Sequence, residues 1–210
     1  MREILLLLLL LLGLVSGARP DKKDIAKSAR WLVSSCDFGV IATMHSEPAS
    51  VLRKVGKPFT NVASYSDGVK SDKIRANGLG VPFFYLTELD ETAKDAKTNN
   101  QVAFTVTEKS SNADGNCKDL SAQDPRCSRV TFVGKLVKTK HVEQAKLALF
   151  SKHPSMASYP EGHGFAFYEL EIESITFLNN FGGASPLSVS DYLAAVVSSE
   201  SVVIPAALTL

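Results

Sequence analysis

At 210 residues, 45% apolar and 21% charged, the chain is long enough for one domain with a full core, and its composition is ordinary for a globular protein. The formal net charge is +1 and basic residues are scattered among acidic ones. No electrostatic argument therefore draws it to nucleic acid or to an anionic membrane.

The chain opens on a leucine-rich block, Ile4 to Leu12, behind Arg2 and ahead of the small residues Ser16, Gly17 and Ala18. This pattern predicts a secretory signal peptide over residues 1–18, cleaved after Gly17 or Ala18. A membrane anchor is the alternative, but the block is shorter than the ~20 residues a spanning helix needs. No later stretch is apolar enough to span, so no membrane span is expected once the leader is gone.

A helix capped by Asp21 or Asp24 comes next. Ile25, Ala29, Leu32 and Cys36 recur at helical spacing beside Trp31, with Lys22, Lys23, Lys27 and Arg30 on the wet side. Phe38 to Met44 reads as a first strand. A loop with Pro48 and Gly56 leads to a second, opened by Pro58-Phe59 and running from Thr60 to Ser66. Val62, Ser64 and Ser66 share one of its faces; Asn61, Ala63 and Tyr65 share the other. Asp67-Gly68 turns the chain, and a polar loop runs to Gly80.

Gly80-Val81-Pro82-Phe83-Phe84-Tyr85-Leu86-Thr87 is an unbroken apolar and aromatic run, too short for a helix. It predicts a central strand buried on both faces, with Pro82 at its first position and the other strands packed around it. Asp90 to Lys97 follows as a short capped helix ended by Asn99-Asn100. Gln101 to Thr107 is a strand with Val102, Phe104 and Val106 on one face. Arg129 to Thr139 alternates as a half-buried strand with Val130, Phe132, Gly134 and Leu136 together. Val142 to Lys152 is a helix with Ala145, Leu149 and Phe150 inward, stopped by His153-Pro154. Phe165 to Ile172 and Ile175 to Phe181 read as two further strands, the second ended by Gly182-Gly183. Ser190-Asp191 caps a brief helix through Val197, and the tail is expected to be loosely held.

Between Glu108 and Ser128 lies a polar loop holding Cys117 and Cys127. A disulfide there would suit an oxidising compartment and contribute about 2–3 kcal/mol by loop closure; two unpaired cysteines are the alternative. Cys36 reads as a buried small hydrophobe. His141, His153 and His163 lack metal-ligand spacing, so no metal site is expected. No nucleophile-elbow motif is present, and no catalytic residue is assigned. The fold expected is mainly β with helices, of the α+β class: a small closed barrel with helical cover, in one domain over residues 19–195, with a tail over 196–210.

The ordered set Gly56-Lys57-Pro58-Phe59, Ser64-Tyr65-Ser66-Asp67-Gly68, Gly80 to Leu86, Asp124-Pro125-Arg126-Cys127, Phe150-Ser151-Lys152-His153-Pro154 and Phe181-Gly182-Gly183 resembles the CREG family. These are secreted or endolysosomal glycoproteins related to pyridoxamine 5'-phosphate oxidases. The resemblance runs from about Asp24 to Leu193. It implies an FMN-binding split β-barrel and a homodimer with any flavin at the subunit interface. The related oxidases follow the central strand with a Ser-Arg-Lys that meets the FMN phosphate; this chain has Thr92-Ala93-Lys94, with Glu88 nearby. The positions that would hold FMN are Ser66, Thr87, Thr92 and Lys94. One Lys and one Thr are a thin set for a phosphate, so the expectation is no bound cofactor, with FMN as the alternative.

Each of these residues also has a plain structural reading. Phe83 and Tyr85 suit barrel core rather than a flavin shelf. Ser64 and Ser66 suit local hydrogen bonds, and Lys94 suits a solvated helix charge. No Asn is followed two positions on by Ser or Thr, so glycan-dependent sorting to lysosomes is not expected. The function implied is a secreted or endolysosomal, non-catalytic, dimeric binding or regulatory protein, with a cell-surface or lumenal receptor as partner. An FMN-dependent oxidoreductase is the alternative.

Overall fold

The computed structural model describes residues 19–45, 55–68, 79–111 and 117–197. The expected leader and all but the first residues of the expected tail lie outside them. Helix α1 is Ile25–Ser35, capped by the Asp24 carboxylate, which accepts from the Lys27 amide. Strands β1 (Phe38–Met44), β2 (Pro58–Ser64) and β3 (Phe83–Thr87) follow, then helix α2 (Glu91–Thr98) and strand β4 (Gln101–Thr107). After the disulfide-bonded loop come β5 (Arg129–Lys138), α3 (Val142–Lys152), β6 (Phe165–Leu178), β7 (Ser185–Leu187) and α4 (Val189–Ala194). Cys117 and Cys127 are joined, and both are buried.

All strand pairs are antiparallel, in the order β2-β1-β4-β5-β6-β3, with β7 also on β6. The sheet curls until its ends approach. Ser66, just past β2, exchanges two backbone hydrogen bonds with Phe83 at the start of β3 (2.8 and 3.2 Å). This bridge joins one end of the sheet margins and makes a split barrel. Inside, Phe104 meets Tyr65 and Phe84 edge to face, at 5.1 and 5.0 Å between ring centres, a favourable aromatic geometry.

β3 is therefore a terminal strand, not the central one. Both faces are nonetheless covered at its start. Phe84 points into the barrel, while Phe83 lies with Ala145, Ala148 and Leu149 of α3 in a second apolar cluster. Pro82 stands just before the strand, its carbonyl accepting from Leu170. The strand most others depend on is β6, which pairs with β3, β5 and β7.

β6 also replaces the two strands expected from Phe165 and Ile175. Inward positions are Ala166, Tyr168, Leu170 and Ile172, then Ile175 and Phe177. The parity changes because the register with β5 shifts between Val133 and Gly134, which pair with Ser174 and Ile172. Glu173 is the additional residue of this bulge. Gly134 permits it: a Cβ there would lie 2.1 Å from the Glu171 carbonyl oxygen.

Three other expectations change. Arg30 is buried, not on the wet face of α1. Its Nη1 donates to the Tyr192 and Leu193 carbonyls (3.5 and 3.4 Å), and its guanidinium lies 5.4 Å from the Tyr192 ring centre. The Tyr192 hydroxyl donates to the Gly80 carbonyl at 2.9 Å, and a Cβ on Gly80 would meet the guanidinium at 2.7 Å. Ile25 is exposed. The last helix is Val189–Ala194, capped by Ser188, and Val197 still packs on the core.

Gly134→Val is expected to destabilise the fold by about 3 kcal/mol or more, because the clash is with backbone that cannot rotate away. Denaturant unfolding followed by tryptophan fluorescence measures it.

Candidate functional site

The expected cofactor positions lie around β3 and α2. Asp90 caps α2, its carboxylate accepting from the Thr92 amide at 2.7 Å. Asn61, on the inward face of β2, donates from Nδ2 to Asp90 (2.8 Å) and to the Thr92 hydroxyl (3.3 Å). One turn on, Asp95 is buried and holds two groups of the β1 end: the Thr43 hydroxyl donates to it at 2.7 Å, and the His45 Nδ1 lies at 3.2 Å. The His45 ring stacks on Phe59 with 5.0 Å between centres. Helix α2 is thus seated across the barrel end by polar side chains, with Ala93 and Ala96 filling the space between.

The Thr43–His45–Asp95 group was not foreseen. Its signal was available: Thr43 and His45 are two apart on a strand, so they share the face of Ile41, which points inward. A histidine oriented by a buried carboxylate is a familiar element of acid–base sites. Here its ring bonds no hydroxyl or thiol among the described residues, and the geometry reads as a clasp between β1 and α2.

The structure separates the expected FMN positions. Ser66 is buried at the Phe83 end of β3, its hydroxyl directed at the Gly68 carbonyl at 3.4 Å. Thr87 ends the same strand, four residues on, or roughly 13 Å away at strand rise. Its hydroxyl donates to the His163 carbonyl. Thr92 is buried in the Asn61 contact, and Lys94 Nζ sits 3.0 Å from Glu91 of its own helix. Glu88 is exposed and binds Lys97 at 2.9 Å, which holds its carboxyl below the usual range. Ala93 is fully buried where the related oxidases carry Arg.

A phosphate needs fixed cations and free N–H donors converging on one point. Among the described residues these four do not converge on one point, and each has a hydrogen bond or ion pair within the chain. They form no single phosphate cradle, and no chemistry is derived through a flavin. No cluster of three or more metal-ligating side chains occurs among the described residues either.

Tyr85 is not barrel core. It stands outside, its ring near-parallel to Phe167 and Phe165 at 4.6 and 4.8 Å and edge-on to Phe150 of α3 at 5.4 Å. These rings cover the outer side of β3 and β6 under α3. Cys36 is buried as expected; burial pushes its thiol pKa up to about 12, and its Sγ lies 3.2 Å from the Thr107 carbonyl. It is a packed thiol and not a nucleophile.

The outer face of the sheet has a different character. Cross-strand register aligns Val62, Val40, Thr105, Thr131, Thr176 and Pro186 in one row, and Thr60, Ala42, Ala103, Val133 and Ser174 in the next. None carries a charge. Val62 is 64% exposed, and Val40 and Val133 are 43% and 41% exposed. The first row crosses six strands, roughly 24 Å at ordinary strand spacing.

A family profile described as CREG, beta-barrel matches residues 20–194. Protein CREG1 of Gallus gallus is 33% identical over 186 residues, covering 87% of this chain and 92% of that one. Protein CREG1 of Homo sapiens is 33% identical over 178 residues, covering 82% and 75%. Among solved structures, a heme binding protein from Mycobacterium smegmatis superposes with a TM-score of 0.63 at 17% identity, covering 86% of this chain and 63% of that one. Campylobacter jejuni ChuZ gives 0.57 at 13%, covering 82% and 62%. The chain therefore spans less than two thirds of either bacterial protein, and the likeness to both is one of fold.

The clasp and the exposed lysine should respond differently to mutation. Asp95→Ala leaves Thr43 and His45 without their shared acceptor and is expected to cost about 2–4 kcal/mol. Lys94→Ala should stay within about 0.5 kcal/mol. Equilibrium denaturation of both variants checks the contrast.

Proposed function

Because the chain belongs to the CREG family, we propose that it is a non-catalytic split-barrel protein that acts as a homodimer in a secreted or endolysosomal compartment, through recognition by a receptor there. The observation that carries this reading is the pair of uncharged rows crossing the outer face of β2, β1, β4, β5 and β6, bordered by Arg129 on one side and by Lys135, Glu171 and Glu173 on the other. An exposed neutral stripe with a charged border is a common form of association surface. A second copy would remove Val62, Val40 and Val133 from water together. Stable pairs bury about 800 Å² per partner, so the charged border would have to take part in the contact as well.

Removal from the cytosol is supported by the apolar block Ile4 to Leu12 and by the Cys117–Cys127 disulfide. No described helix is long and apolar enough to cross a membrane. With no glycan acceptor motif in the chain, sorting would depend on protein contacts and not on sugars. The absence of catalysis is supported by the engaged polar atoms of Ser66, Thr87, Thr92 and Lys94 and by Ala93 at the place of the oxidases' Arg. The FMN-dependent oxidoreductase alternative has no comparable observation in its favour.

Light scattering at micromolar concentration is expected to give twice the chain mass. Val62→Glu should give a folded monomer, since two carboxylates would be buried face to face, whereas Leu147→Glu on α3 should leave the dimer intact. A monomeric wild type overturns the reading. Adding FMN should leave the flavin spectrum that of free FMN; a tight complex abolished by Lys94→Ala would restore the oxidoreductase.

A further inference from the structure

Arg19 is the first described residue, and its side chain is tied into the fold far along the chain. Nη1 donates to Glu108 Oε1 at 2.7 Å and Nη2 to the Ser128 hydroxyl at 2.9 Å. The guanidinium also lies 5.3 Å from the Trp31 ring centre. Glu108 has no side-chain exposure, and its other oxygen accepts from the Ser128 amide at 3.1 Å. Arg19 is the cation hydrogen-bonded to this buried carboxylate, with Lys22 as a second positive charge near it, and losing Arg19 would remove the direct ion pair.

Pro20 follows Arg19. Hydrolysis of the Ala18–Arg19 peptide bond consumes one water and leaves a carboxylate on Ala18 and an amine on Arg19. The new terminus then reads Arg19-Pro20-Asp21. A penultimate proline resists ordinary aminopeptidases but is what X-Pro dipeptidyl peptidases require. These enzymes, common outside the cytosol, use a second water to break the Pro20–Asp21 bond and release the dipeptide Arg19-Pro20. That cut would remove the counter-ion of Glu108.

We propose that Arg19 is the N-terminal residue of the mature chain, and that its clasp on Glu108 and Ser128 guards the Arg19-Pro20 dipeptide against X-Pro dipeptidyl peptidase processing. The proposal rests on removal of residues 1–18. The clasp holds the terminus against the protein, where it cannot enter a peptidase channel in extended form. Cleavage must wait for the clasp to open, so its rate follows the open population. Opening in turn exposes the acidic pocket that Arg19 filled, so one cut would both shorten the chain and weaken the fold at Glu108.

The experiment expresses the full chain in secretory cells and reads the intact mass of the product before and after incubation with a purified X-Pro dipeptidyl peptidase. The wild type should begin at Arg19 and stay intact. Glu108→Gln keeps the same terminal sequence but loses the charge, and should release the dipeptide roughly tenfold faster or more, the factor expected for one charge-assisted bond. Ser128→Ala should fall between. Melting curves establish that both variants are folded, and if Glu108→Gln does not fold, Ser128→Ala alone decides. Retention of residues 1–18 overturns the leader reading and this proposal with it, and a product starting at Ala18, whose second residue is Arg19 and not proline, overturns the proposal alone. A product starting at Arg19 whose folded wild type loses the dipeptide as fast as the variants overturns the clasp alone.

Discussion

Two backbone hydrogen bonds between Ser66 and Phe83 decide what kind of object this sheet is. Without them β2 and β3 would be the free margins of an open sheet, and each would offer unpaired amides to a neighbour. With them the margins meet at one end and diverge at the other. The joined end brings Tyr65 and Phe84 together around Phe104, so the aromatic core and the closure support one another. The divergent end needs a plug, and α2 supplies it. Because the plug faces strand ends, its contacts are hydrogen bonds from Asn61, Thr43 and His45 rather than a large apolar stripe.

That arrangement explains why the flavin positions are spent. In this chain the residues that start α2 are used to hold the helix to the barrel: Asp90 and Thr92 on Asn61, Asp95 on β1. A helix start whose amides and hydroxyls are occupied by its own protein has little left for an anion. The Arg-to-Ala difference at position 93 is consistent with the same use, since Ala93 is fully enclosed and a guanidinium could not occupy its place.

Much of the fold was legible because period and punctuation agreed. Gln101–Thr107 and Val142–Lys152 have the limits their patterns predict, each bounded by Asn or His-Pro breaks. The misreadings have physical causes. β6 looked like two strands because a bulge reverses which side chains face in, and a two-residue period cannot register an inserted residue. Arg30 looked solvated because burial of a guanidinium depends on carbonyls 162 and 163 residues away. The Phe83–Thr87 segment looked central because apolar faces on both sides are produced equally by flanking strands or by an overlying helix, here α3. The site was less legible still. Thr43, His45, Asn61 and Asp95 are each unremarkable in sequence, and only the meeting of β1, β2 and α2 makes them a group.

The contact between Arg30 and the Tyr192–Leu193 carbonyls bears on how the chain is made. A ribosome delivers α1 among the first of the described residues and α4 among the last. Until α4 emerges, Arg30 lacks its two carbonyl acceptors on that helix, and Gly80 lacks the phenol that pins its carbonyl. A nascent chain therefore closes this part of its interior only once the residues around Tyr192 have been made, and the contact is one of long sequence separation, the kind that forms slowly.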